Sequence, residues 1–218
     1  MSGAILFCTG HNCDILYIML YILPEIDIIG ESIIDRSLPL LSDERREKVL
    51  RMQNMQGKIL SSSVYLLLRF ALREEYDIDE AVSFIYNGHG KPALSEHQHI
   101  HFNLSHCRNA AACVISNIEA GVDIQDIRPV SDAVAKRVLT AEEYTEFRAA
   151  ENPEAYFCEI WAIKECRLKQ TGKGLNTELS QLTASKISDI SIIRNAEYIC
   201  CVSGADTCVR YVNVKELI

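Results

Sequence analysis

Hydrophobic and polar residues alternate with different periods along the first half of the chain, which predicts a strand, two helices and several short strands. Residues 13–23 form a short, almost entirely apolar run, typical of a buried strand. LSDERREKVLRM and SSSVYLLLRFALREEY predict helices, the first capped by Ser42 and the second ending near Tyr76. AVSFIYNGHGKPAL changes to strand-and-turn chemistry, and IHFNLSH, AACVIS and AGVDIQDI predict short strands.

Apart from the strand at residues 13–23, the second half of the chain has the same order, with helices first and strands afterwards. SDAVAKRVL and TAEEYTEF predict short helices, and Thr140 with Glu143 forms a capping box at the start of the latter. NPEAYFCEIWAIKECRLKQ predicts a longer helix, with Asn152 as its cap and Pro153 at its first position. ISDISIIRN, YICCVS and CVRYVNV predict the closing strands. The midpoint of this arrangement lies near residue 120.

Composition limits the class of protein. The chain has 218 residues, 48% of them hydrophobic, which suits one large domain or two of roughly 100 residues each. Its net charge of -8 argues against a general nucleic-acid surface. The apolar run at residues 15–23 is too short to cross a bilayer, and the N-terminus lacks the basic region of a signal peptide. The nine scattered cysteines contain no C-x-x-C pair, so we expect a cytoplasmic protein that binds neither nucleic acid nor membrane.

The stretch AGVDIQDI contains a candidate metal ligand. In a strand, Asp123 and Gln125 share one face, while Val122 and Ile124 point the other way into the core. A carboxylate held in this way is a good hard ligand for Mg²⁺. Taken alone, the stretch favours the simpler interpretation, an aspartate that ends a strand before a turn.

The stretch WAIKECRLKQTGKGL places four side chains on one side of a helix. Trp161, Glu165, Leu168 and Lys169 recur at spacings of three and four residues. A solvated Glu–Lys pair would have the same spacing. The adjoining tryptophan and the basic turn at residues 172–174 favour a functional pair instead.

The segment EHQHIHFNLSHC contains four of the six histidines. If residues 97–103 form a strand, His97, His99 and His101 line one of its faces. Zinc usually recruits a further ligand from another element at a defined spacing, and none stands out here. A solvated strand face is therefore the preferred interpretation, and a zinc site is the alternative.

Asn103, Ser105 and His106 come at the end of the same predicted strand, where a turn begins. A hydroxyl, an imidazole and backbone N–H groups can converge there on an anion. Magnesium carboxylates, an anion site and several lysines together suit a substrate that is rich in phosphate.

Four motifs in order, GKP, FNLSH, GVDI and WxxKECxxKQxGKGL, resemble the Sfp-type 4′-phosphopantetheinyl transferases over about residues 40–185. The resemblance implies an enzyme that uses coenzyme A and Mg²⁺. It would transfer the 4′-phosphopantetheine arm to a serine of an apo acyl carrier protein, or of a peptidyl or polyketide carrier domain, and release 3′,5′-ADP.

The resemblance also implies an α+β fold with two pseudo-symmetric halves, each a small antiparallel sheet packed on helices. Residues 1–119 would form the half that grips coenzyme A, and residues 120–218 the half with the magnesium-binding and catalytic elements. The active site would lie between the halves of a monomer.

The family's catalytic roles carry over to particular residues of this sequence. Asp123 and Glu165 are the implied Mg²⁺ ligands, Glu165 also helps to take the proton from the carrier serine, and Lys169 stabilises the leaving phosphate. Many relatives have Glu where this chain has Gln125, whose carbonyl can still bind Mg²⁺, directly or through water. A non-catalytic module that binds coenzyme A or a carrier protein is the alternative that Gln125 suggests.

The implied coenzyme A contacts are spread over both halves. They are Lys91, Ser105 and His106 at the phosphate end, Lys164 at the phosphates, and Arg45 and Lys48 upstream. His97, His99 and His101 are then bystanders.

Overall fold

The computed structural model describes residues 17–26, 29–172, 179–204 and 206–218. In these ranges the chain is mixed α+β, with small sheets packed on helices, which confirms the predicted fold class. Residues 13–16 of the predicted first strand and residues 173–174 of the basic turn lie outside the described ranges. No helix within those ranges is both long and apolar enough to span a bilayer.

The elements follow the predicted order closely. The strands are β1 (Ile18–Pro24), β2 (Phe84–Tyr86), β3 (Pro92–Leu94), β4 (His101–His106), β5 (Ala110–Ser116), β6 (Val122–Asp126), β7 (Ile190–Arg194), β8 (Tyr198–Ser203) and β9 (Cys208–Tyr211). The helices are α1 (Ser32–Ser37), α2 (Asp43–Arg51), α3 (Met55–Tyr76), α4 (Asp132–Val138), α5 (Ala141–Ala149), α6 (Pro153–Thr171) and α7 (Val214–Leu217).

The capping residues named from the sequence begin their helices. The Ser42 hydroxyl accepts a hydrogen bond from the backbone of α2, and Thr140 and Glu143 form the capping box of α5. The Asn152 side chain caps α6, which ends at Gly172 in the left-handed conformation, with φ of 63°. Helix α3 begins six residues before the predicted stretch, because Asn54 caps it upstream.

The first sheet has the strand order β4-β5-β1-β9, and α3 packs on one of its faces. The neighbouring pairs are antiparallel except that β9 runs parallel to β1. The prediction of an antiparallel sheet is therefore wrong at this edge. β9, from the end of the described residues, thus lies beside β1, the first strand that they contain. The division into halves at residues 119 and 120 stays a prediction.

The second sheet has the order β6-β8-β7, is antiparallel throughout, and packs against α6. Cys158, Ala162 and Cys166 of α6 lie against Ile199 and Cys201 of β8 in one apolar cluster. Alternation along the strands sends the intervening residues to the other face. That face meets the first sheet in a second cluster, which contains Leu20, Ile22, Ala112, Val114, Val122, Ile124, Cys200 and Val202.

The histidine-rich segment differs from the prediction. Residues 97–100 form a turn, in which the Ile100 N–H donates to the His97 carbonyl at 2.9 Å, and β4 begins only at His101. His97, His99 and His101 therefore do not line one strand face. Period-two spacing was the wrong guide, because the turn interrupts the strand before His101.

Gly121 lets the second sheet approach α6 closely. A Cβ atom at this position would lie 2.2 Å from the Cys166 carbonyl oxygen and 2.5 Å from the Gln170 nitrogen, both in the helix backbone. We expect Gly121→Ala to lower the free energy of unfolding by roughly 1–3 kcal/mol, as overpacked sites do. Urea unfolding measures this. Gly88→Ala, which adds a Cβ in open space, is the matched control and should change stability by less than about 0.5 kcal/mol.

Candidate active site

The two sheets are joined by side chains of β4 that bond to the backbone of β6. β6 is an edge strand, so alternate N–H groups have no partner in their own sheet. The Val122 N–H donates to Asn103 Oδ1 at 3.1 Å, and the Ile124 N–H donates to Ser105 Oγ at 3.2 Å. All of these side chains are buried, so each bond satisfies a group that water does not reach. Ser105 is thereby fixed beside Asp123.

Asp123 is a buried carboxylate with three donors around it. Its side chain shares a face of β6 with Gln125, as predicted, and the Gln125 Nε2 donates to its Oδ2 at 2.8 Å. Its Oδ1 accepts from Ser105 Oγ at 3.0 Å and from Lys169 Nζ at 2.6 Å. The residue is only 1% exposed, so these bonds replace its hydration.

Helix α6 presents its functional side chains to a cavity of about 240 Å³. Glu165, Leu168 and Lys169 line it together, which confirms that they share one side of the helix. Trp161, one turn earlier, packs against Phe157 with ring centroids 5.7 Å apart, in the apolar cluster of α4, α5 and α6. The tryptophan therefore anchors the helix beside the cavity.

The turn between β2 and β3 forms another wall of the cavity. His89, Gly90, Lys91 and Pro92 line it from this side. Sequence reasoning named Lys91 and missed His89, although His89 stands in the same glycine-rich turn as the GKP motif.

Lys91 binds the C-terminal end of α6. Its Nζ donates to the Gln170 carbonyl at 2.9 Å and also pairs with Glu119. Asn87 of the same turn donates from Nδ2 to the Gly172 carbonyl at 3.2 Å. A cation is favourable where the last helical carbonyls are unpaired. The turn and the helix are therefore tied to each other beside the cavity.

Burial and neighbouring charges shift the pKa values of two groups at the site. Burial raises the pKa of Glu165, and the nearby Asp123 raises it further, against the opposing effect of Lys169. Burial lowers the pKa of His106, the charge of Lys169 lowers it further, and Asp123 opposes both. Glu165 thus binds a proton more readily than an ordinary glutamate, and His106 less readily than an ordinary histidine.

Oxygen donors around Asp123 fit a magnesium ion. Within the described ranges, no group of three or more His, Cys, Asp and Glu side chains could hold a metal by itself. Asp123 and Glu165 supply two carboxylates, and the Gln125 carbonyl is a further hard donor. Magnesium typically takes one or two protein carboxylates and completes its shell with substrate phosphates and water. The donor set matches that requirement.

Lys164 requires a correction. It is fully buried, and its Nζ donates to Val138 O at 2.8 Å, Glu143 Oε2 at 2.6 Å and Leu179 O at 3.0 Å. An ammonium group has three hydrogens, and these acceptors take all of them. Lys164 therefore joins α6 to α4 and α5, and the predicted phosphate contact is wrong.

Arg45 and Lys48 do not line the cavity. The Arg45 guanidinium stacks over the rings of Tyr65 and Phe84, 5.4 and 5.5 Å from their centroids, while Lys48 is exposed on α2. Their roles stay predictions.

His97, in the turn before β4, and His101, the first residue of β4, face different carboxylates. His101 Nδ1 lies 3.4 Å from Glu119, and His97 Nε2 lies 3.9 Å from Glu80. Their surroundings are therefore those of surface groups beside acidic neighbours.

Comparison with known proteins gives a consistent picture. Residues 119–212 match the family model described as the 4′-phosphopantetheinyl transferase superfamily. The chain is 33% identical to the 4′-phosphopantetheinyl transferase psf-1 of Bacillus pumilus over 159 aligned residues. These residues are 72% of this chain and 68% of that protein. It is 30% identical over 152 residues to the 4′-phosphopantetheinyl transferase Sfp of Bacillus subtilis (strain 168), covering 68% of each. It is 39% identical over 94 residues to the 4′-phosphopantetheinyl transferase AcpT of Salmonella typhi, covering 40% of this chain and 48% of that protein.

The buried pair of Lys164 and Glu143 makes a prediction about stability. Lys164→Met leaves an unpaired buried carboxylate, so we expect unfolding free energy to fall by about 3–5 kcal/mol. Urea unfolding tests this, with Lys136→Met as control because its pair with Asp132 is exposed.

The same pair predicts how stability depends on pH. Burial alone would raise the pKa of Glu143, but Lys164 and backbone N–H groups outweigh it, so the pKa is lowered. A lowered folded-state pKa stabilises the protein at neutral pH, and this contribution is lost as the pH falls through that pKa. The difference between Lys164→Met and the wild type should therefore shrink in acid. Equal stabilities at neutral pH would contradict this account of the pair.

Proposed function

The chain belongs to the Sfp-type 4′-phosphopantetheinyl transferase family, and we propose that it transfers the 4′-phosphopantetheine arm of coenzyme A to a serine of an apo carrier protein. The observation that carries this proposal is that Glu165 and Lys169 line one cavity and that Lys169 reaches from it to the buried carboxylate of Asp123. Such a group can hold a cation, accept a proton and neutralise a phosphate. These are the tasks that the transfer requires.

Asp123 and Glu165 would hold Mg²⁺, with Gln125 as a third donor, directly or through water. Bound there, Mg²⁺ would neutralise charge on the pyrophosphate of coenzyme A. The hard oxygen donors and the closeness of the two carboxylates support this assignment.

Glu165 and Lys169 would act on opposite sides of the reacting phosphorus. The carrier serine oxygen forms the new bond to phosphorus, and its proton passes to Glu165. The bond from phosphorus to 3′,5′-ADP breaks, and Lys169 stabilises the charge that develops on the leaving group.

The remaining contacts would hold the nucleotide end of coenzyme A. The cavity is smaller than the 300–1,000 Å³ typical of small-molecule sites, so it suits one part of this long substrate. Lys91, Ser105 and His106 would bind its phosphates, with Arg45 and Lys48 as further cations. Lys91 would exchange its present pair with Glu119 for a phosphate.

The natural acceptor would be a carrier of fatty acid, polyketide or peptide synthesis. We also propose a cytoplasmic location, since every cysteine in the described part of the chain is a free thiol. A monomer is proposed because a single chain would carry both halves of the fold. Incubation with coenzyme A, Mg²⁺ and a panel of apo carriers, read by mass spectrometry, tests the function. A gain of one phosphopantetheine on a carrier supports transfer.

A module that only binds coenzyme A or a carrier is the second candidate, favoured by the replacement of a third carboxylate by Gln125. Coenzyme A binding without any mass gain on the panel would favour it.

Glu165→Gln is the sharpest test of the mechanism. The variant keeps the size of the side chain and a carbonyl for the metal, but it accepts no proton. We expect single-turnover transfer to slow by ~10²- to 10⁴-fold. Lys169→Ala should also slow transfer, with a defect that changes less with pH. Glu142→Gln, at an exposed position of α5, is the control. Full activity of Glu165→Gln would rule out the proposed base.

We expect His106 to take up a proton when coenzyme A binds. Its pKa lies below the ordinary value of about 6.5, so it is mostly neutral at neutral pH, and a bound phosphate would raise that pKa. Calorimetry in two buffers of different ionisation enthalpy measures the uptake slightly below neutral pH. His106→Asn should remove the uptake and weaken binding. His101→Asn should change neither, and the reverse result would mean that the phosphate contact is assigned to the wrong histidine.

A further inference from the structure

The proposed metal site already contains a cation in the structure, and that cation is a side chain. Lys169 Nζ lies 2.6 Å from Asp123 Oδ1 and 3.0 Å from Ser105 Oγ. The side chain of Lys169 is 29% exposed, whereas that of Asp123 is 2% exposed. The lysine therefore reaches in from the cavity to a carboxylate fixed in the sheet.

We propose that the Lys169 ammonium occupies the position of the metal ion in the metal-free protein, and that Gln125 positions Asp123 for its pair with Lys169. The proposal rests on the proposed function, because it assumes that Asp123 is a metal ligand. Mg²⁺ and the Lys169 ammonium then compete for the same oxygen. Binding of the metal requires that Lys169 leave Asp123, and the pyrophosphate of coenzyme A is the anion that would receive it.

The burial of the Asp123 carboxylate explains why a cation such as Lys169 is needed when no metal is bound. An ionised carboxylate without a partner is costly to bury, and Asp123 keeps almost no contact with water. The Lys169 bond, together with the hydroxyl of Ser105, compensates it without a metal. An ion bound at the same Oδ1 would repel the ammonium, so the two cations exclude each other there.

Gln125 favours the same metal-free state. Its Nε2 donates to Asp123 Oδ2 at 2.8 Å, which a glutamate at this position would not do in its ionised form. A glutamate would instead add a second negative charge beside Asp123 and attract the metal more strongly. The amide thus stabilises the carboxylate and leaves the metal affinity of the free protein low.

Coupling between the metal and coenzyme A follows from this arrangement. Coenzyme A would draw Lys169 away from Asp123 and so free the oxygen for Mg²⁺. Coupling between two ligands is reciprocal, so Mg²⁺ would tighten coenzyme A binding by the same factor. Direct contact of the metal with the pyrophosphate also contributes to this coupling. A substitution of Lys169 removes only the part of the coupling that Lys169 provides.

The test measures Mg²⁺ binding by calorimetry on the protein alone, and again with saturating coenzyme A and no carrier. Lys169→Met should bind Mg²⁺ about tenfold more tightly than the wild type without coenzyme A, since a charge-assisted hydrogen bond no longer opposes it. The gain in Mg²⁺ affinity on adding coenzyme A should shrink. Lys169→Arg keeps the charge and should bind like the wild type. Gln125→Glu should also bind Mg²⁺ more tightly.

Lys169→Gln serves as a second neutral variant in case Lys169→Met folds poorly. Its side chain has no charge, but its amide can still donate a hydrogen bond to Asp123. Thermal melting with and without Mg²⁺ gives a readout that needs no turnover, since a ligand stabilises the folded state in proportion to its affinity. Mg²⁺ should raise the melting temperature of the two neutral variants more than that of the wild type.

Asp123→Asn separates the two possible failures. Wild-type Mg²⁺ binding in Asp123→Asn would mean that the proposed metal site itself is wrong. Loss of binding in Asp123→Asn, together with unchanged or weaker binding in both neutral Lys169 variants, would overturn the stand-in role and leave the proposed function intact.

Discussion

The bonds between β4 side chains and the β6 backbone are the constraint on which the rest of the site depends. An edge strand that packs inside a protein leaves N–H groups that must find acceptors, and Asn103 and Ser105 provide them for Val122 and Ile124. The two sheets are held in register at this junction. The same hydroxyl of Ser105 then donates to Asp123, so one side chain serves both the fold and the charge of the site.

Helix α6 brings the remaining groups to that junction. Gly121 allows its backbone to approach the second sheet, while Lys91 and Asn87 hold its last turn from the other side. Lys164 and Glu165 are neighbours in sequence, about 100° apart around the helix axis. One therefore faces the buried pair with Glu143 and the other faces the cavity.

Many of the helix starts and shared faces could be predicted from the sequence, because capping residues and periodicity act locally. Helix starts at Ser42 and Thr140 and the shared face of Asp123 and Gln125 follow from neighbours in the chain. Lys164 did not follow, since its acceptors come from Val138 and Leu179, far away in sequence. The parallel pairing of β9 with β1 and the turn at residues 97–100 likewise depend on tertiary contacts that periodicity does not contain.

The cysteines packed between α6 and the second sheet have a consequence for an enzyme whose proposed substrate carries a thiol. Burial raises the pKa of both Cys158 and Cys166 to about 12. Thiolates are the species that exchange with disulfides, and these two side chains supply almost none at neutral pH. Oxidised coenzyme A would therefore form mixed disulfides with them only slowly, although Cys166 directly follows Glu165. Burial of these two cysteines therefore keeps the thiols of α6 unreactive beside a ligand that carries a thiol.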